Sequence, residues 1–528
     1  MLFNSYEFIF LFLPITFFVF FAISRLGHEI AIIWLVLASL FFYGWWNPAY
    51  LILILLSMLG NFSLGTLLSK AAKQGQAKKA KLYLTLGITL NLSALGYFKY
   101  AGFFIENLNI LTGTNVDVGH ILLPLAISFF TFQQITYLVD AYRDITQEYK
   151  FTHYALFVTF FPQLIAGPIV HHKEMLPQFM RRDSLKPHVE NIAIGLTIFF
   201  IGLFKKAVLA DGVAQYGTPV FDAAAAGETL SFFQAWGGAL AYTMQLYFDF
   251  SGYSDMAIGG ARLFGIKLPL NFHSPYKATS IVEFWRRWHM TLSRFLRDYV
   301  YISLGGNRQG KPRRYFNLMA TMLLGGLWHG AGWTFVAWGG LHGFYLVANH
   351  AWHRIRTTLG LTETANSNTG RFFAWLVTFL AVVVGWVFFR ATDFYSAISI
   401  LEGMIGINGV ALPNALITRL GSLGELLQNL GVEAYLGGGS DFIFTYLWVG
   451  TLLIATLMLP NTQQIMSRFE PALKAYQSDE KYQIRFSQRL TASLIWRPSL
   501  GWSLTIGLVA TLGILALTSI SEFLYFQF

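Results

Sequence analysis

Apolar runs close to the length of a membrane-crossing helix follow one another along most of the chain. Their length excludes an outer-membrane barrel, whose strands alternate over about ten residues. The pattern therefore predicts an all-α polytopic membrane protein, a single membrane domain over residues 1–528 with about 10–12 transmembrane helices. The candidate spans are residues 6–26, 31–46, 49–69, 83–101, 120–139, 190–210, 231–250, 372–389, 443–459 and 502–525.

Two apolar runs do not fit as single spans. Residues 154–170 contain Pro162 and an Ala-Gly-Pro sequence at 166–168, and residues 315–347 are too long for one span and are interrupted by glycines. Proline and glycine weaken a continuous helix. Non-helical backbone at membrane depth is tolerated only where it is buried in protein or lines a cavity. We therefore expect two broken or re-entrant helices, and a cavity with His329 on its wall.

The distribution of basic residues orients the predicted spans. Residues 70–81 carry five lysines, and short basic loops face the cytoplasm. The N-terminus is then outside, residues 251–314 and 461–500 are inside, and residues 211–230 and 391–441 are outside. Only 12% of the residues are charged, with a net charge of +10. This excess lies in loops that face anionic lipid, so no nucleic-acid partner is predicted.

Several kinds of chemistry are excluded. The chain has no cysteine, which rules out disulfides and thiolate catalysis. Residues 305–311 have the glycine and lysine spacing of a phosphate-binding loop, but Pro312 stands where that loop needs a hydroxyl. His171, His172 and Glu174 form a possible metal cluster, which we interpret as a solvated turn. No metal site is therefore predicted.

His329 lies in the glycine-rich stretch 325–333 (GGLWHGAGW), inside an apolar run. Ionisable groups at membrane depth are candidates for function. Three interpretations remain open: a general base that activates an alcohol against an acyl carbonyl, a relay in a transporter of lipid-linked sugar, and a structural histidine. His342, further along the same run, is interpreted as structural.

Residues 280–301 predict one amphipathic helix that lies in the membrane interface. His289 falls on its apolar side. It is either an interfacial histidine with a satisfied neighbour or a wall residue of the cavity that holds His329. The apolar positions are Ile281, Phe284, Trp285, Trp288, Leu292, Phe295, Leu296 and Tyr299, and the charged ones are Glu283, Arg286, Arg287, Arg294, Arg297 and Asp298.

Two carboxylates precede this helix, among aromatic residues at the end of a predicted span. Asp249 or Asp255 would be able to orient a histidine, as carboxylates do in many sites. A helix cap or an interfacial turn is the alternative for both.

Seven motifs in order resemble the membrane-bound O-acyltransferase (MBOAT) family, and within it the bacterial alginate O-acetylation branch. The likeness runs over residues 1–400 and is densest over 245–345, the expected catalytic core segment. Residues 400–528 form helices without a recognised motif. The motifs are 42–48 (FYGWWNP), 96–100 (GYFKY), 161–168 (FPQLIAGP), 245–256 (QLYFDFSGYSDM), 283–289 (EFWRRWH), 297–299 (RDY) and 327–331 (LWHGA).

The resemblance implies tilted helices around a central funnel. The nearly invariant histidine of the family matches His329, and its second polar position matches His289, so these are the expected catalytic residues. The residues expected to bind substrate or donor are Trp328, Trp285, Arg286, Asp249 and Asp255.

The same resemblance implies the reaction. Family members hold no bound cofactor and take an acyl group from a cytoplasmic thioester, acetyl-CoA or an acyl carrier protein. In the polysaccharide branch the group crosses the bacterial inner membrane, often to a periplasmic partner acetyltransferase. We therefore expect O-acetylation of an alginate-like extracellular polysaccharide. Peptidoglycan O-acetylation and D-alanylation of teichoic acid are the alternatives within the same fold.

Overall fold

The computed structural model describes residues 1–119, 121–144, 150–181, 185–360, 367–473 and 485–518. Over these residues the protein is mainly helical, with only two short strands. The helices are α1 (Leu13–Ile23), α2 (His28–Gly44), α3 (Ala49–Lys73), α4 (Ala77–Leu95), α5 (Ala101–Thr112), α6 (Ile127–Tyr142), α7 (Phe151–Thr159), α8 (Phe161–Leu164), α9 (His172–Phe179), α10 (Val189–Phe204), α11 (Asp211–Ala225), α12 (Phe232–Leu263), α13 (Ile281–Arg287), α14 (Met290–Phe295), α15 (Gly310–His329), α16 (Trp333–Thr358), α17 (Asn368–Arg390), α18 (Phe394–Met404), α19 (Asn414–Arg419), α20 (Ser422–Asn429), α21 (Gly439–Met458), α22 (Thr462–Ile465), α23 (Arg485–Ser493) and α24 (Leu500–Leu515).

Shorter elements join or extend these helices. Two strands, β1 (Val410–Pro413) and β2 (Val432–Tyr435), pair in parallel, with Val410 opposite Val432. The π-helical turns are Glu7–Phe12, Gly96–Tyr100, Lys205–Ala210 and Leu296–Tyr301, and the 3-10 turns are Pro275–Lys277, Ser467–Phe469 and Ala516–Thr518.

Each apolar run predicted as a span is helical over most of its length, which confirms an all-α polytopic membrane protein. Glu7–Ile23 and His28–Gly44 are shorter apolar helices. The total of 10–12 transmembrane helices and the orientation remain predictions, and the end of the span 502–525 lies outside the described residues. The helices long and apolar enough to cross a membrane are Ala49–Lys73, Val189–Ala225, Asn368–Arg390, Gly439–Met458 and Leu500–Thr518.

The 32-residue helix α12 lies at the centre and contacts α10, α11, α17, α18 and α21. Its start is fixed by a capping box, in which Ser231 and Gln234 satisfy each other's backbone N–H groups. Residues 241–263 are all buried. A helix that is buried on every side needs apolar residues around its whole circumference, and the polar groups in it need partners.

Both runs that were predicted to be broken are broken. Residues 154–170 form α7, the short α8 and a non-helical stretch, all buried in the protein. The run 315–347 divides into α15 and α16 at Gly330–Gly332. Both predictions are therefore confirmed, and the second places His329 at the last position of α15.

Two glycines let α15 and α16 pack closely after this break. A Cβ added to Gly326 would lie 2.2 Å from the carbonyl oxygen of Phe335, and one added to Gly339 would lie 2.4 Å from that of Met322. Small residues allow the backbones of membrane helices to approach in this way. The position of His329 relative to α16 therefore depends on the close contact between the backbones of α15 and α16.

The segment 280–301 is not one helix, and that prediction is wrong. α13 ends at Arg287, α14 begins at Met290, and the π turn Leu296–Tyr301 follows. At the break His289 has φ 40° and ψ 53°. This is the left-handed region, which residues other than glycine rarely adopt.

The break occurs because backbone groups on both sides of it bond to another segment. His273 N donates to Arg287 O at 2.9 Å, and Met290 N donates to Asn271 O at 2.9 Å. Buried backbone groups need partners, and residues 271–273 supply partners that a continuous helix would have found internally.

Candidate active site

His329 is surrounded by aromatic rings. Its ring centroid is 5.1 Å from that of Trp338, 5.1 Å from that of Phe389 and 4.9 Å from that of Trp328. The side chain is only 6% exposed. Within the described part of the chain, neither ring nitrogen is hydrogen-bonded. The imidazole is therefore available to a substrate hydroxyl.

A cavity of about 10 Å³ lies against this imidazole. That is the space of a single water molecule. The prediction that His329 lines a cavity is confirmed, but side chains must move before a substrate can enter. The lining residues are Leu246, Phe250, Trp288, His329, Trp338, Trp386 and Phe389.

His289 is fully buried and is oriented by an amide. Its Nδ1 lies 3.0 Å from the side-chain oxygen of Asn271, which also accepts hydrogen bonds from the backbone N–H and the hydroxyl of Thr291, at 3.3 and 2.9 Å. Because the amide oxygen accepts, Nδ1 carries the proton and Nε2 keeps its lone pair. Nε2 has no hydrogen-bond partner among the described residues.

The rings of His289 and His329 come together although the two residues are 40 positions apart in the sequence. Their ring centroids are 6.4 Å apart, and the ring of Phe250 packs 4.7 Å from that of His289. His289 does not line the 10 Å³ cavity itself, but its neighbour Trp288 does. The arrangement places two neutral imidazoles with available nitrogens side by side in an apolar environment.

A larger cavity, of about 660 Å³, opens beside this site. Its lining residues include Trp285, Met290, His350 and four arginines, Arg286, Arg294, Arg297 and Arg314. Arg294 forms a bidentate pair with Glu174, at 2.8 and 2.9 Å, and Arg297 pairs with Asp298 at 2.7 Å. The other two arginines have no carboxylate partner among the described residues, so the cavity is electropositive.

His350 adds no charge to this cavity at neutral pH. Burial and the neighbouring Arg314 guanidinium both lower the pKa of its imidazole. The attraction for an anion therefore comes from the arginines, whose planar groups bind phosphate through two hydrogen bonds.

Trp285 packs against Trp338, which lines the smaller cavity. Trp285 itself lines the larger one, and its indole N–H donates to Nδ1 of His342 at 3.2 Å. The ring of His342 packs 4.8 Å from that of Trp338, which in turn contacts His329. His342 is thus an acceptor in the packed wall, and its ring and that of His329 both contact Trp338.

The carboxylates predicted to orient a histidine have other partners. Asp249 pairs with Lys206, which also donates to Asp211 at 2.7 Å. Asp255 pairs with Lys205 at 2.8 Å and accepts from the hydroxyl of Thr462 at 2.6 Å. These pairs fix α12 against the π turn Lys205–Ala210. His289 is oriented by Asn271 and by neither aspartate.

Trp328 lines neither cavity and packs on Phe132, with centroids 5.3 Å apart. That it binds substrate or donor stays a prediction. One further interpretation of the sequence concerned a turn. His171, His172 and Glu174 are not a solvated turn, because they are 5%, 1% and 9% exposed. That interpretation is wrong because Glu174 is buried in its pair with Arg294.

Comparisons with known proteins show the family to which the chain belongs. The model of the membrane-bound O-acyltransferase family matches residues 75–388. The chain belongs to this family. It is 47% identical to a peptidoglycan O-acetyltransferase of Helicobacter pylori over 78% of this chain and 81% of that protein. It is 43% identical to a probable alginate O-acetylase of Pseudomonas aeruginosa over 76% and 75%, and 30% identical to a teichoic acid D-alanyltransferase of Streptococcus thermophilus over 50% and 68%.

Membership of the MBOAT family establishes the class of reaction. The chain is an acyltransferase, as predicted, and the interpretation as a sugar transporter has no support among these relatives. The family match includes His289, His329 and every residue that lines the two cavities except Phe389, and it ends before residues 400–528.

Sequence reasoning missed two residues beside the histidines. Asn271 ends the sequence LPLN (residues 268–271), and no periodic pattern of apolar residues marks its position. Lys99 stands alone in the apolar run 83–101, and its Nζ donates to the carbonyl oxygen of His329 at 3.0 Å. The signal that would have found Lys99 is an unpaired charge inside a predicted span.

Proposed function

We propose that the protein transfers an acetyl group from a cytoplasmic thioester, across the bacterial inner membrane, for O-acetylation of an extracellular polysaccharide. The observation that carries this is the imidazole of His329, which has no hydrogen-bond partner among the described residues, at the broken end of α15. A neutral imidazole in an apolar wall suits general-base work on a hydroxyl. The relatives are named as an O-acetyltransferase and a probable O-acetylase, which supports acetyl as the transferred group and a hydroxyl oxygen as its acceptor.

The donor in this proposal is acetyl-CoA or an acetylated carrier protein. Both carry phosphate groups ahead of the thioester. The cavity of about 660 Å³ offers Arg286 and Arg314 for those phosphates and Trp285 for the apolar arm. Its volume lies within the usual range for ligand sites, about 300–1,000 Å³. Orientation of the basic segment 251–314 toward the cytoplasm, with the N-terminus in the periplasm, gives the donor access to this cavity.

The proposed step is acyl transfer with His329 as the base. Its imidazole takes the proton of the acceptor hydroxyl while the oxygen forms a bond to the thioester carbonyl carbon. The tetrahedral intermediate then expels the thiolate, which takes the proton from the imidazolium. The ester and the free thiol are the products. His289, with Nε2 directed away from Asn271, positions the acyl group at the donor side. The hydroxyl belongs to a periplasmic partner acetyltransferase or to the polymer.

The test separates transfer from polymer export. We expect His329→Ala to leave the amount of polymer unchanged and to reduce its ester-linked acetate by at least about 1,000-fold. The acetate is measured after mild base, and the polymer by sugar analysis. His353→Ala, at an exposed histidine of α16, is the control and keeps normal acetylation. Loss of the polymer itself in His329→Ala would contradict the proposal and favour transport.

The acceptor in our proposal is an alginate-like exopolysaccharide. Peptidoglycan is the second candidate, favoured by the 47% identity to the Helicobacter protein. Mass spectrometry of both polymers from the wild type and from His329→Ala distinguishes them, because only the true acceptor loses its acetyl groups in the variant. Esters lost from peptidoglycan alone would overturn the alginate assignment.

A further inference from the structure

The π turn Gly96–Tyr100 holds the end of the helix that carries His329. Nζ of Lys99 donates to the carbonyl oxygens of Trp328 at 2.6 Å and His329 at 3.0 Å. The hydroxyl of Tyr100 donates to the carbonyl oxygen of Leu327 at 2.8 Å. Lys99 and Tyr100 thus reach three consecutive carbonyl groups of α15.

These are the carbonyl groups that the end of α15 leaves unpaired. The last four carbonyls of any α-helix have no partner within the helix. Here the first of them, at Gly326, accepts from Gly330 N at 3.4 Å. Gly330 then continues in an extended conformation, with φ −154° and ψ 149°, so the usual left-handed glycine cap is not formed. Lys99 and Tyr100 take the place of that cap.

Lys99 is committed to this contact. An ammonium group has three protons, and besides the two carbonyl oxygens its Nζ donates to the hydroxyl oxygen of Ser128 at 3.4 Å. No carboxylate pairs with Lys99 among the described residues. A cation at membrane depth persists only when it is paired or bonded to backbone carbonyls, and a positive charge is favourable at a helix C-terminus. The donors of Nζ are therefore used on the backbone of α15 and on Ser128, with none left for a substrate.

We propose that Lys99 and Tyr100 are positioning residues that fix the backbone, and so the imidazole direction, of His329. The inference rests on the proposed function of His329. The cavity beside the imidazole is only about 10 Å³, so small shifts of the helix end close it or move the ring. A displacement of about 1 Å in a catalytic group costs roughly 100-fold in rate. Both side chains lie on one π turn and reach the same helix end. Such turns are rare in proteins overall, but they occur often at functional sites.

The test compares Lys99→Met and Tyr100→Phe with matched controls. Lys99→Met keeps the length of the side chain and removes its donors. Tyr97→Phe, in the same turn but with an exposed ring, loses a hydroxyl that bonds to nothing described. Lys78→Met removes an exposed lysine of α4. Each variant is measured for membrane abundance, melting temperature in detergent, and ester-linked acetate on the polymer at equal abundance.

We expect Lys99→Met to lower acetylation by about 30- to 100-fold and Tyr100→Phe by about 3- to 10-fold, while both controls match the wild type. Lys99→Arg restores part of the loss, because a guanidinium also donates to carbonyls. In membrane vesicles with radiolabelled acetyl-CoA as the probe, kcat falls and KM changes by less than about two-fold, because donor binding is untouched.

The outcomes are separable from those of the proposed function. Normal acetylation in Lys99→Met and Tyr100→Phe, with none in His329→Ala, overturns this inference alone. Normal acetylation in His329→Ala overturns the proposed function whatever Lys99 does. A loss that follows only the loss of folded protein assigns Lys99 a purely structural role and also overturns the inference. If Lys99→Met does not fold, the kcat of Tyr100→Phe decides.

Discussion

Two broken helices bring the two histidines together, and they are broken for different reasons. At His329 the helix α15 ends at a run with Gly330 and Gly332, and the residue itself keeps helical geometry. At His289 no glycine is present, and the histidine takes φ 40°. A residue held in that region costs about 1–3 kcal/mol, which the surrounding structure must supply.

The supports of the two breaks differ accordingly. At His329 the sequence itself weakens the helix, and Lys99 and Tyr100 bond the carbonyls that remain. At His289 the side-chain oxygen of Asn271 collects three hydrogen bonds across the break. One break is therefore built into the local sequence, while the other exists only when a distant segment is docked. Backbone strain at a non-glycine residue is a mark of functional sites.

The largest effect is expected where the strained break loses its support. Asn271→Leu removes the acceptor for Thr291 N, the Thr291 hydroxyl and His289 Nδ1. At about 1 kcal/mol for each bond, we expect a loss of about 3 kcal/mol in unfolding free energy and at least about 100-fold in acetylation. Thermal unfolding in detergent and ester-linked acetate are the measurements.

Asn109→Leu is the control for this change. Asn109 also makes several hydrogen bonds, but in an exposed turn with Thr114 and Val116. We expect Asn109→Leu to lower the free energy of unfolding by less than about 1 kcal/mol and to leave acetylation normal. An Asn271→Leu protein that keeps both its stability and its activity would show that the break at His289 does not depend on Asn271.

The second effect separates the ring of His289 from its backbone. Asparagine tolerates the left-handed region better than most residues. His289→Asn should therefore keep the fold while acetylation falls by about 10- to 50-fold, because the positioned imidazole is gone. His353→Asn, on the exposed face of α16, should leave acetylation unchanged. Full activity in His289→Asn would remove His289 from the site.

The third effect concerns the glycine-encoded break. Gly326→Ala places a methyl group 2.2 Å from the carbonyl oxygen of Phe335, and α15 must move away from α16. Overpacking of this kind costs about 1–3 kcal/mol, and we expect acetylation to fall about 10-fold. Gly340→Ala meets only a leucine methyl at 3.6 Å and should behave as the wild type. Equal melting temperatures for the two variants would contradict this packing.

The contrast explains how much of the site the sequence could predict. Hydrophobic runs and glycines are local signals, and they were enough for the helices, for the break at His329 and for its cavity. The amide of Asn271, the ion pairs of Asp249 and Asp255, and the turn at His289 depend on residues that meet only after folding. Amphipathic spacing over 280–301 is satisfied equally well by two short helices, because α13 and α14 keep Phe284, Trp285 and Leu292 buried.

The smallest expected effect tests the wall between the two cavities. Trp285→Phe removes the hydrogen bond to Nδ1 of His342, worth about 1 kcal/mol. Because Trp285 also lines the larger cavity, we expect KM for acetyl-CoA to rise about three-fold while kcat stays within about two-fold. Trp352→Phe, at an exposed tryptophan of α16, should change neither constant. A fall in kcat alone would instead place Trp285 with the histidines, because a residue that binds only the donor acts equally on the ground state and the transition state. In that event Trp285 of α13 would help to position the reacting groups beside His289 and His329.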